Sequence, residues 1–399
     1  MGKIIKFFIL IIAITAFPAC ENPIVGRNEI DDLEFIRALA IDKSLTVPNG
    51  VRLTVTIQRF KEGGEGSAQE KESTKVSAEG ETAFEAIRNF SIFLDKKPFW
   101  GHLEYVIIGE DVAREGICQY LDVLSRDHEI RMNIDIFVMK GGRAEEMMEK
   151  TEKGDKFIFD RLRGLIESVG GQSVTSPVNL IEIMYIQDIK YLSLYLPCVQ
   201  MIKSSRDENG KDETMDIKMA GFAVFDGDVL VGHLSAGMGR GLNWLRDNIK
   251  SGIIVVTSPK GTKVSLELIR SKTKFYPKIQ DGKLFLDVKV EVNSNIGEVQ
   301  AHEDVFKAEI FEYLERQQAK SVKREIEEVI EYAQKVLGLD FFAVGSNFYR
   351  KYPIKWENIY EQNWREEFPR VEINVDVKSQ IRRTYDIKEP SEDKGDGKK

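Results

Sequence analysis

The sequence predicts an α+β fold of multi-domain mixed sheets with flanking helices, because helix and strand patterns share the chain without regular alternation. Apolar and polar residues alternate along Val51–Phe60, as they do in a half-buried strand. Apolar residues recur at helical spacing within residues 303–337, which predicts one long helix that Gly338 ends. Hydrophobic residues make up 42% of the 399 residues, enough to build a sizeable core.

The first part of the chain contains a series of predicted strands and helices. A strand at Phe35–Lys43 precedes Val51–Phe60, and the turn residues Pro48-Asn49-Gly50 separate the two. Thr82 and Glu85 have the spacing of a capping box, which predicts the start of a helix. The next predicted elements are strands at Leu103–Gly109 and Asn133–Met139, with a helical pattern between them. A mostly helical stretch follows at 143–190, with a break at Gly170-Gly171.

A second part of the chain follows the polar loop Ser204–Glu213. It opens with a predicted hairpin, in which Asp216–Phe225 and Val229–Leu234 are joined across Asp226-Gly227-Asp228. Further strands are predicted at Ile253–Thr257, Lys263–Lys274, Lys283–Val292 and near Arg370–Ile381. The predicted organisation is a signal peptide at 1–19, an N-terminal region of one or two subdomains at 20–203, a C-terminal domain at 214–385 and a disordered tail at 386–399.

The N-terminus has the features of a bacterial lipoprotein signal. Lys3 and Lys6 precede an 11-residue run, Phe7–Phe17, that is apolar except for one threonine. A membrane-spanning helix needs about 20 apolar residues, so this run is typical of a cleaved secretory signal. Cys20 follows directly after Ala19, which predicts lipidation of the Cys20 thiol and a membrane anchor made of two acyl chains. The alternatives are an ordinary secretory signal or an N-terminal anchor with an incidental cysteine.

The two remaining cysteines are predicted to be structural. Cys118 and Cys198 lie in apolar runs, so both are expected to be buried, free thiols. Their separation matches no zinc-binding pattern.

The sequence contains no recognisable catalytic, metal or cofactor site, so we expect a protein that is not an enzyme. The glycine-rich run Gly237–Gly241 lacks the third glycine of a dinucleotide fingerprint and is expected to form a tight turn into a helix. No histidine lies three or four residues from another histidine or a cysteine, and no serine lies in a nucleophile elbow. The formal net charge of −8 disfavours nucleic acid as a partner.

Four stretches, in this order, resemble the Ger(x)C family, the lipoprotein C subunits of bacterial spore germinant receptors. No one stretch is specific, but the ordered set spans residues 20 to about 385. The stretches are Glu34–Lys43, Lys97–Ser125, Gly221–Leu234 and Asp340–Trp364, the last with Gly345, Arg350, Pro353 and Trp356.

This resemblance implies a function as well as a fold. It implies three α+β domains outside the spore inner membrane, and integral-membrane A- and B-type germinant receptor subunits as partners. The complex would respond to small nutrients and trigger ion release. The C subunit has no known catalytic residues, so Cys20 is the only site residue that the resemblance assigns in this chain. The competing hypotheses are a solute-binding lipoprotein of another membrane complex and an exported hydrolase.

The C-terminal segment carries an aromatic stripe that is open to two interpretations. Trp356, Tyr360 and Trp364 are spaced four apart, which would align them on one face of a helix, with Arg365 next to them. Such residues are common in binding hot spots, so the stripe is a candidate contact surface for membrane subunits. The alternative, which the sequence favours, is that the stripe packs on the protein's own core.

Overall fold

The computed structural model describes residues 30–60, 71–148, 158–168, 171–203, 215–300, 305 and 307–382. The predicted signal peptide, Cys20 and the tail at 386–399 lie outside these residues. The α+β prediction is confirmed: helices pack on mixed sheets in which parallel and antiparallel strands both occur. No helix in the described residues is long and apolar enough to span a bilayer.

The described strands form two sheets. The strands are β1 (Leu33–Lys43), β2 (Val51–Phe60), β3 (Lys71–Gly80), β4 (Lys97–Phe99), β5 (Tyr105–Ile108), β6 (Asp135–Met139), β7 (Tyr195–Lys203), β8 (Met215–Asp226), β9 (Val229–Leu234), β10 (Ile253–Thr257), β11 (Lys263–Gln280), β12 (Lys283–Val299) and β13 (Glu372–Arg382).

The helices of the described residues are mostly short. They are α1 (Ala83–Phe93), α2 (Glu110–Glu115), α3 (Cys118–Arg126), α4 (Ile158–Ser168), α5 (Leu180–Asp188), α6 (Ala236–Leu245), α7 (Ala308–Glu331), α8 (Val344–Lys351), α9 (Pro353–Lys355) and α10 (Trp364–Glu367). Tyr332–Leu337 and Trp356–Tyr360 are π-helical, and short 3-10 turns lie at Ile30–Asp32, Trp100–His102, Ala144–Met148 and Phe368–Arg370.

The larger sheet has the order β3-β2-β1-β5-β6-β7-β8-β9 in the described part of the chain, with β4 beside the start of β1. Its central strands β1, β5, β6 and β7 are parallel, and both flanks are antiparallel. Both faces are buried: α1 and α5 contribute to the core on one side, and Met147, Met148 and Leu162 cover the other. This burial suits parallel strands, whose backbone and side chains are enclosed on both faces.

The large sheet takes strands from both sides of the loop that the sequence suggested as a boundary. β7 precedes residues 204–214 and β8 follows them, yet the two strands are antiparallel neighbours over most of their length. The division at 203/214 therefore stays a prediction about domain limits, and the sheet itself is continuous across it.

The smaller sheet has the order β10-β11-β12-β13 among the described residues. The predicted long helix is confirmed in part, because α7 begins at Ala308 and the chain is π-helical from Tyr332 to Leu337 before Gly338 ends it with φ +66°. Apolar residues of α7, among them Leu314, Val322 and Ile326, lie in the same core as the buried side chains of this sheet.

The glycine-rich run is part of α6 and does not form the turn that the sequence suggested. Ser235 caps the helix by accepting a hydrogen bond from the Met238 N–H at 3.3 Å, so the glycines fall inside the first turns. A Cβ on Gly241 would lie 2.2 Å from the carbonyl oxygen of Glu325 on α7. The glycine therefore lets two helix backbones approach closely, which no side chain would permit.

Local predictions near α1 are confirmed with one change. The Glu85 N–H donates to Thr82 Oγ1 at 3.1 Å, as a capping box requires. The Glu85 carboxylate reaches back to the Glu81 N–H at 2.8 Å, one residue before the cap. The stretch predicted at 143–190 is mostly helical in its described residues, and the break predicted at Gly170-Gly171 is longer than expected, since residues 171–179 contain no α-helix.

Candidate functional site

A cleft of about 1020 Å³ lies where the large sheet meets the helices of the C-terminal segment. One wall is the chain from the end of α5 to the start of β7, and another is the β8–β9 turn. The remaining side is formed by residues 338–340 and by side chains between Tyr349 and Phe368. The cleft is therefore built from segments far apart in the sequence, and no single motif could have predicted it.

The β8–β9 turn is held rigidly against the start of α3. The backbone oxygen of Asp228 accepts a hydrogen bond from the Ile117 N–H at 3.1 Å, and its carboxylate accepts one from the Cys118 N–H at 3.2 Å. Gly116 has φ +123°, and a Cβ there would lie 2.7 Å from the Asp228 carboxylate. Glycine at this position therefore permits both the backbone conformation and the close contact.

An ion pair connects the same turn to the C-terminal helices. The Arg365 guanidinium donates two hydrogen bonds to the Asp226 carboxylate, the first at 2.6 Å. These bonds lower the pKa of Asp226 and raise that of Arg365. Both side chains are partly exposed, so we expect the pair to fix geometry more than to add stability.

Asp340 is buried beneath the cleft and organises the segment around it. Its carboxylate accepts hydrogen bonds from the backbone N–H groups of Val344 at 3.0 Å and Gly345 at 2.8 Å, at the N-terminus of α8. Its backbone oxygen accepts the Ser193 N–H at 2.9 Å, which ties α8 to the chain leading into β7. Burial raises the pKa of Asp340 to about 6, although these N–H donors favour the charged form.

The aromatic stripe packs on the core, which is the alternative that the sequence favoured. Trp356, Tyr360 and Trp364 are each no more than 5% exposed. They do not share one helix, because the π-helical turn ends at Tyr360 and α10 begins at Trp364. The Trp356 and Trp364 rings lie 4.8 Å apart between centroids. Only Arg365 of the original set is exposed, and it pairs with Asp226.

The two described cysteines differ in environment. Cys198 is buried and Cys118 is exposed, so the prediction that both are buried is wrong for Cys118. The apolar neighbours of Cys118 suggested burial, but it is the first residue of α3, at the mouth of the cleft. Burial and the nearby Asp228 raise the pKa of the Cys118 thiol, which disfavours a nucleophilic thiolate.

His233 lies between Cys198 and Glu110 in a polar contact that the sequence did not predict. Its Nε2 lies 3.2 Å from the Glu110 carboxylate and its Nδ1 lies 3.5 Å from Cys198 Sγ. Burial lowers the pKa of His233 and raises that of Cys198, so both groups favour their neutral forms. This arrangement links β9, β7 and α2.

The cleft has the chemistry of a polar binding surface. Its walls carry acidic side chains in excess over basic ones, namely Asp188, Asp226, Asp228, Asp340, Glu357 and Glu361 against Lys190 and Arg365. Such walls favour a ligand that carries positive charge. No group of three or more potential metal ligands occurs in the residues that the structure describes. Asp340 was the main residue that sequence analysis missed, because it lies three residues before Ala343, the N-cap of α8, and so outside the usual capping position.

Comparison with known proteins identifies the family. Residues 26–201 match the family described as "Spore germination protein N-terminal domain", and residues 220–385 match "Spore germination B3/ GerAC like, C-terminal". The chain is 25% identical over 400 residues to spore germination protein KC of Bacillus subtilis, covering 96% of each protein. It is 24% identical to spore germination protein B3 of the same organism, covering 94% of this chain and 96% of that one.

A solved structure has the same fold. The crystal structure of the GerBC protein matches with a TM-score of 0.56 and 22% identity, covering 86% of this chain and 96% of that one. The two matched family regions of this chain lie on either side of residues 202–219, close to the polar loop seen in the sequence. The resemblance found in the four ordered stretches is confirmed, and the chain belongs to the Ger(x)C family of spore germination proteins.

Proposed function

We propose that this chain is a non-enzymatic lipoprotein subunit of a nutrient germinant receptor, needed for the response of bacterial spores to small nutrients. The observation that carries the proposal is the pair of family matches at 26–201 and 220–385, which together take in both sheets. Relatives named as spore germination proteins align over nearly their whole length, so the likeness is not confined to one shared module.

The proposed location is the outer face of the spore inner membrane, with the lipid on Cys20 as anchor. Two acyl chains supply stable membrane affinity, whereas one chain binds only marginally. The proposed partners are the integral-membrane A- and B-type receptor subunits. The formal net charge of −8 makes nucleic acid an unsuitable partner.

The C-terminal helices offer a surface for these partners, since the aromatic stripe is internal. Tyr349, Ile354 and Ile359 are exposed on α8, α9 and the π-helical turn that follows. Exposed apolar and aromatic side chains are typical of protein-binding surfaces. We therefore propose that these three side chains contact the membrane subunits.

Co-purification from spore membranes tests this contact. The double variant Ile354→Glu and Ile359→Glu should lose the membrane subunits, as measured by mass spectrometry of the bound proteins. Ile269→Glu, at an exposed position on β11 of the small sheet, is the matched control and should keep them. Equal recovery of the subunits with both variants would contradict this choice of surface.

Germination tests the function itself. Deletion of the gene in a strain with no redundant receptor should abolish nutrient-triggered germination, and the wild-type gene should restore it. Unchanged germination in that strain would overturn the proposal. Turnover of a defined substrate by the purified protein would overturn its non-enzymatic part.

A second candidate function, direct capture of a small solute, is supported by the cleft. Its volume of about 1020 Å³ is in the range of known small-molecule sites, and its acidic walls suit an amine. Trp364 lines the cleft and would report a bound ligand through its fluorescence. A saturable change on titration with cationic amino acids, absent in a Glu357→Gln and Glu361→Gln variant, would support capture. If no germinant changes the fluorescence, direct capture by this chain is contradicted, and the proposed role as a receptor subunit is unaffected.

A further inference from the structure

An exposed apolar patch lies at the end of the large sheet where the chain enters it from Cys20. We call it the amino-terminal patch, and it consists of Ile30, Ile92 and Phe93. Their side chains are 75%, 73% and 61% exposed, among the highest values for large apolar residues in the described chain. Single exposed apolar residues are common, but three at one end of a sheet need a separate explanation.

The pairing of β1 with β4 brings the three residues to the same end. The strands are parallel, and Leu33 lies opposite Lys97. The chain before Leu33 and the chain before Lys97 therefore leave the sheet at the same end. Ile30 lies three residues before Leu33, and Phe93 ends α1 four residues before Lys97.

The exposure of Ile92 and Phe93 is not a consequence of a poorly packed helix. α1 buries Ala83, Ala86, Ile87 and Phe90 against the sheet core, so its inner face is complete. Ile92 and Phe93 lie outside that face, in the last turn before the capping residue Leu94. Folding does not require an apolar side chain at either position, since neither belongs to the buried face of α1.

The length of the preceding chain connects this patch to the proposed anchor. Ile30 lies ten residues after Cys20, and at about 3.3–3.6 Å per residue this stretch spans at most about 35 Å. β1 has 11 residues and extends about 36 Å away from this end. The chain therefore holds the end that carries the patch within about 35 Å of a lipid at Cys20, whereas the far end of β1 can lie up to about 70 Å from it.

We propose that the amino-terminal patch contacts the bilayer itself, with Ile30, Ile92 and Phe93 inserted among the lipid headgroups. The proposal rests on the lipid anchor of the proposed function and adds an orientation to it: the parallel strands of the large sheet start at the membrane. Apolar side chains at an interface of this kind enter about 5–10 Å into the headgroup and acyl boundary.

The charges around the patch indicate that the contact is apolar and not electrostatic. Lys96 and Lys97 are exposed at its rim, but so are Asp32 and Asp95. Lys97 is also paired with Glu129 at 3.1 Å. These are two lysines against three carboxylates, so the contact does not depend on attraction to anionic lipid.

Fluorescent labelling of the lipidated full-length protein tests the proposal. A Cys118→Ser background removes the exposed native thiol, and Ile92→Cys carries an environment-sensitive fluorophore. Leu45→Cys is the matched control, because Leu45 is 65% exposed and lies just beyond the opposite end of β1. Each labelled protein is placed in phosphatidylcholine vesicles and in phosphatidylglycerol vesicles, with and without nitroxide groups on the acyl chains.

The label at position 92 should shift its emission to the blue and be quenched by the nitroxide lipids, equally in both vesicle types. The label at position 45 should show neither effect. If the protein stays on the vesicles but both labels remain in water, the proposed bilayer contact is overturned and the lipid anchor is not. If a co-purified protein shields the label at position 92 and the nitroxide lipids do not quench it, the patch contacts a protein partner and not the bilayer, which overturns the proposal. Failure of the protein to bind vesicles at all would overturn the anchor, and the orientation with it.

Discussion

The indole Nε1 of Trp364 donates a hydrogen bond to Oδ2 of Asp340 at 3.1 Å, and this bond joins α10 to the N-terminus of α8. The same carboxylate caps α8, so one buried acid positions both helical segments beneath the cleft. The shape of the cleft floor therefore depends on a polar contact between two residues that are each no more than 3% exposed.

Replacement of Trp364 by alanine tests the core role of this aromatic group. The substitution should lower the free energy of unfolding by about 3–5 kcal/mol, because it removes a large buried side chain and leaves a cavity. Ile354→Ala, at a site 75% exposed, should change it by less than about 0.5 kcal/mol. Urea denaturation of the chain from Glu21 onward measures both values, and similar values for the two variants would contradict the burial of Trp364.

Asp340 should make stability depend on pH in a defined direction. Burial raises its pKa from 3.8 to about 6, so between these pH values the folded chain holds a proton that the unfolded chain has lost. The contribution of Asp340 to stability is therefore complete below about pH 4 and is lost as the pH rises through 6. Asp340→Asn removes this dependence.

The free energy of unfolding of the parent, relative to that of Asp340→Asn, should thus decrease by up to about 3 kcal/mol from pH 4 to pH 7. A pKa shift of about two units corresponds to that energy. Asp376→Asn, on the exposed side of β13, is the control and should keep the parent's profile. Denaturation curves at several pH values provide the measurement. A difference that grows with pH would show that the carboxylate is stabilised in its charged form.

The close approach of α6 and α7 predicts different results for two glycines of the same helix. Gly241→Ala would place a Cβ 2.2 Å from the Glu325 backbone oxygen, and we expect a loss of about 1–3 kcal/mol of folding stability from the forced separation. Gly237→Ala meets no atom nearer than 3.9 Å and should be neutral, or stabilising by up to about 1 kcal/mol. Thermal melts compare the pair, and equal melting temperatures would argue against tight helix packing.

The two described thiols should react at very different rates. Cys118 is exposed and Cys198 is buried, so an alkylating reagent should modify only Cys118 in the folded protein and both after unfolding. The raised pKa of Cys118 predicts slow alkylation at neutral pH and faster alkylation above about pH 9. Mass spectrometry of non-reduced peptides gives the pattern. A peptide that joins the two cysteines would show that they are not free.

Replacement of Cys20 by alanine tests the anchor. The variant should accumulate as unprocessed precursor or be released from the membrane, because it lacks the thiol that carries the acyl chains. Fractionation and immunoblotting follow its location, with Cys118→Ser as the control that keeps the anchor. Normal processing together with full membrane retention of Cys20→Ala would contradict the prediction.

Local patterns in the sequence predicted much of the secondary structure. The alternation along β2, the turn residues of the β8–β9 hairpin and the cap at Thr82 each depend on neighbours within a few residues. Such signals arise from backbone geometry and side-chain period, so they can be recognised without the rest of the fold.

The cleft could not be predicted in the same way, because it depends on contacts between distant segments. The exposure of Cys118 follows from the position of α3 beside the Asp228 turn, 110 residues away. The four-residue spacing of Trp356, Tyr360 and Trp364 suggested one helix, but the chain changes from a π-helical turn to α10 between them. Burial of all three shows that tertiary packing decided their role.

The continuity of the large sheet across residues 204–214 sets an order for folding. The chain leaves the ribosome from its N-terminus at about 5–20 residues per second, so β7 is complete seconds before β8 and β9 exist to cover its edge. An uncovered strand edge is a template for pairing with other chains. A fragment that stops at residue 203 would keep that edge permanently, whereas one that continues through Leu234 would close it. The first half of this sheet therefore depends on the β8–β9 hairpin, which lies beyond residue 214, to cover the edge of β7.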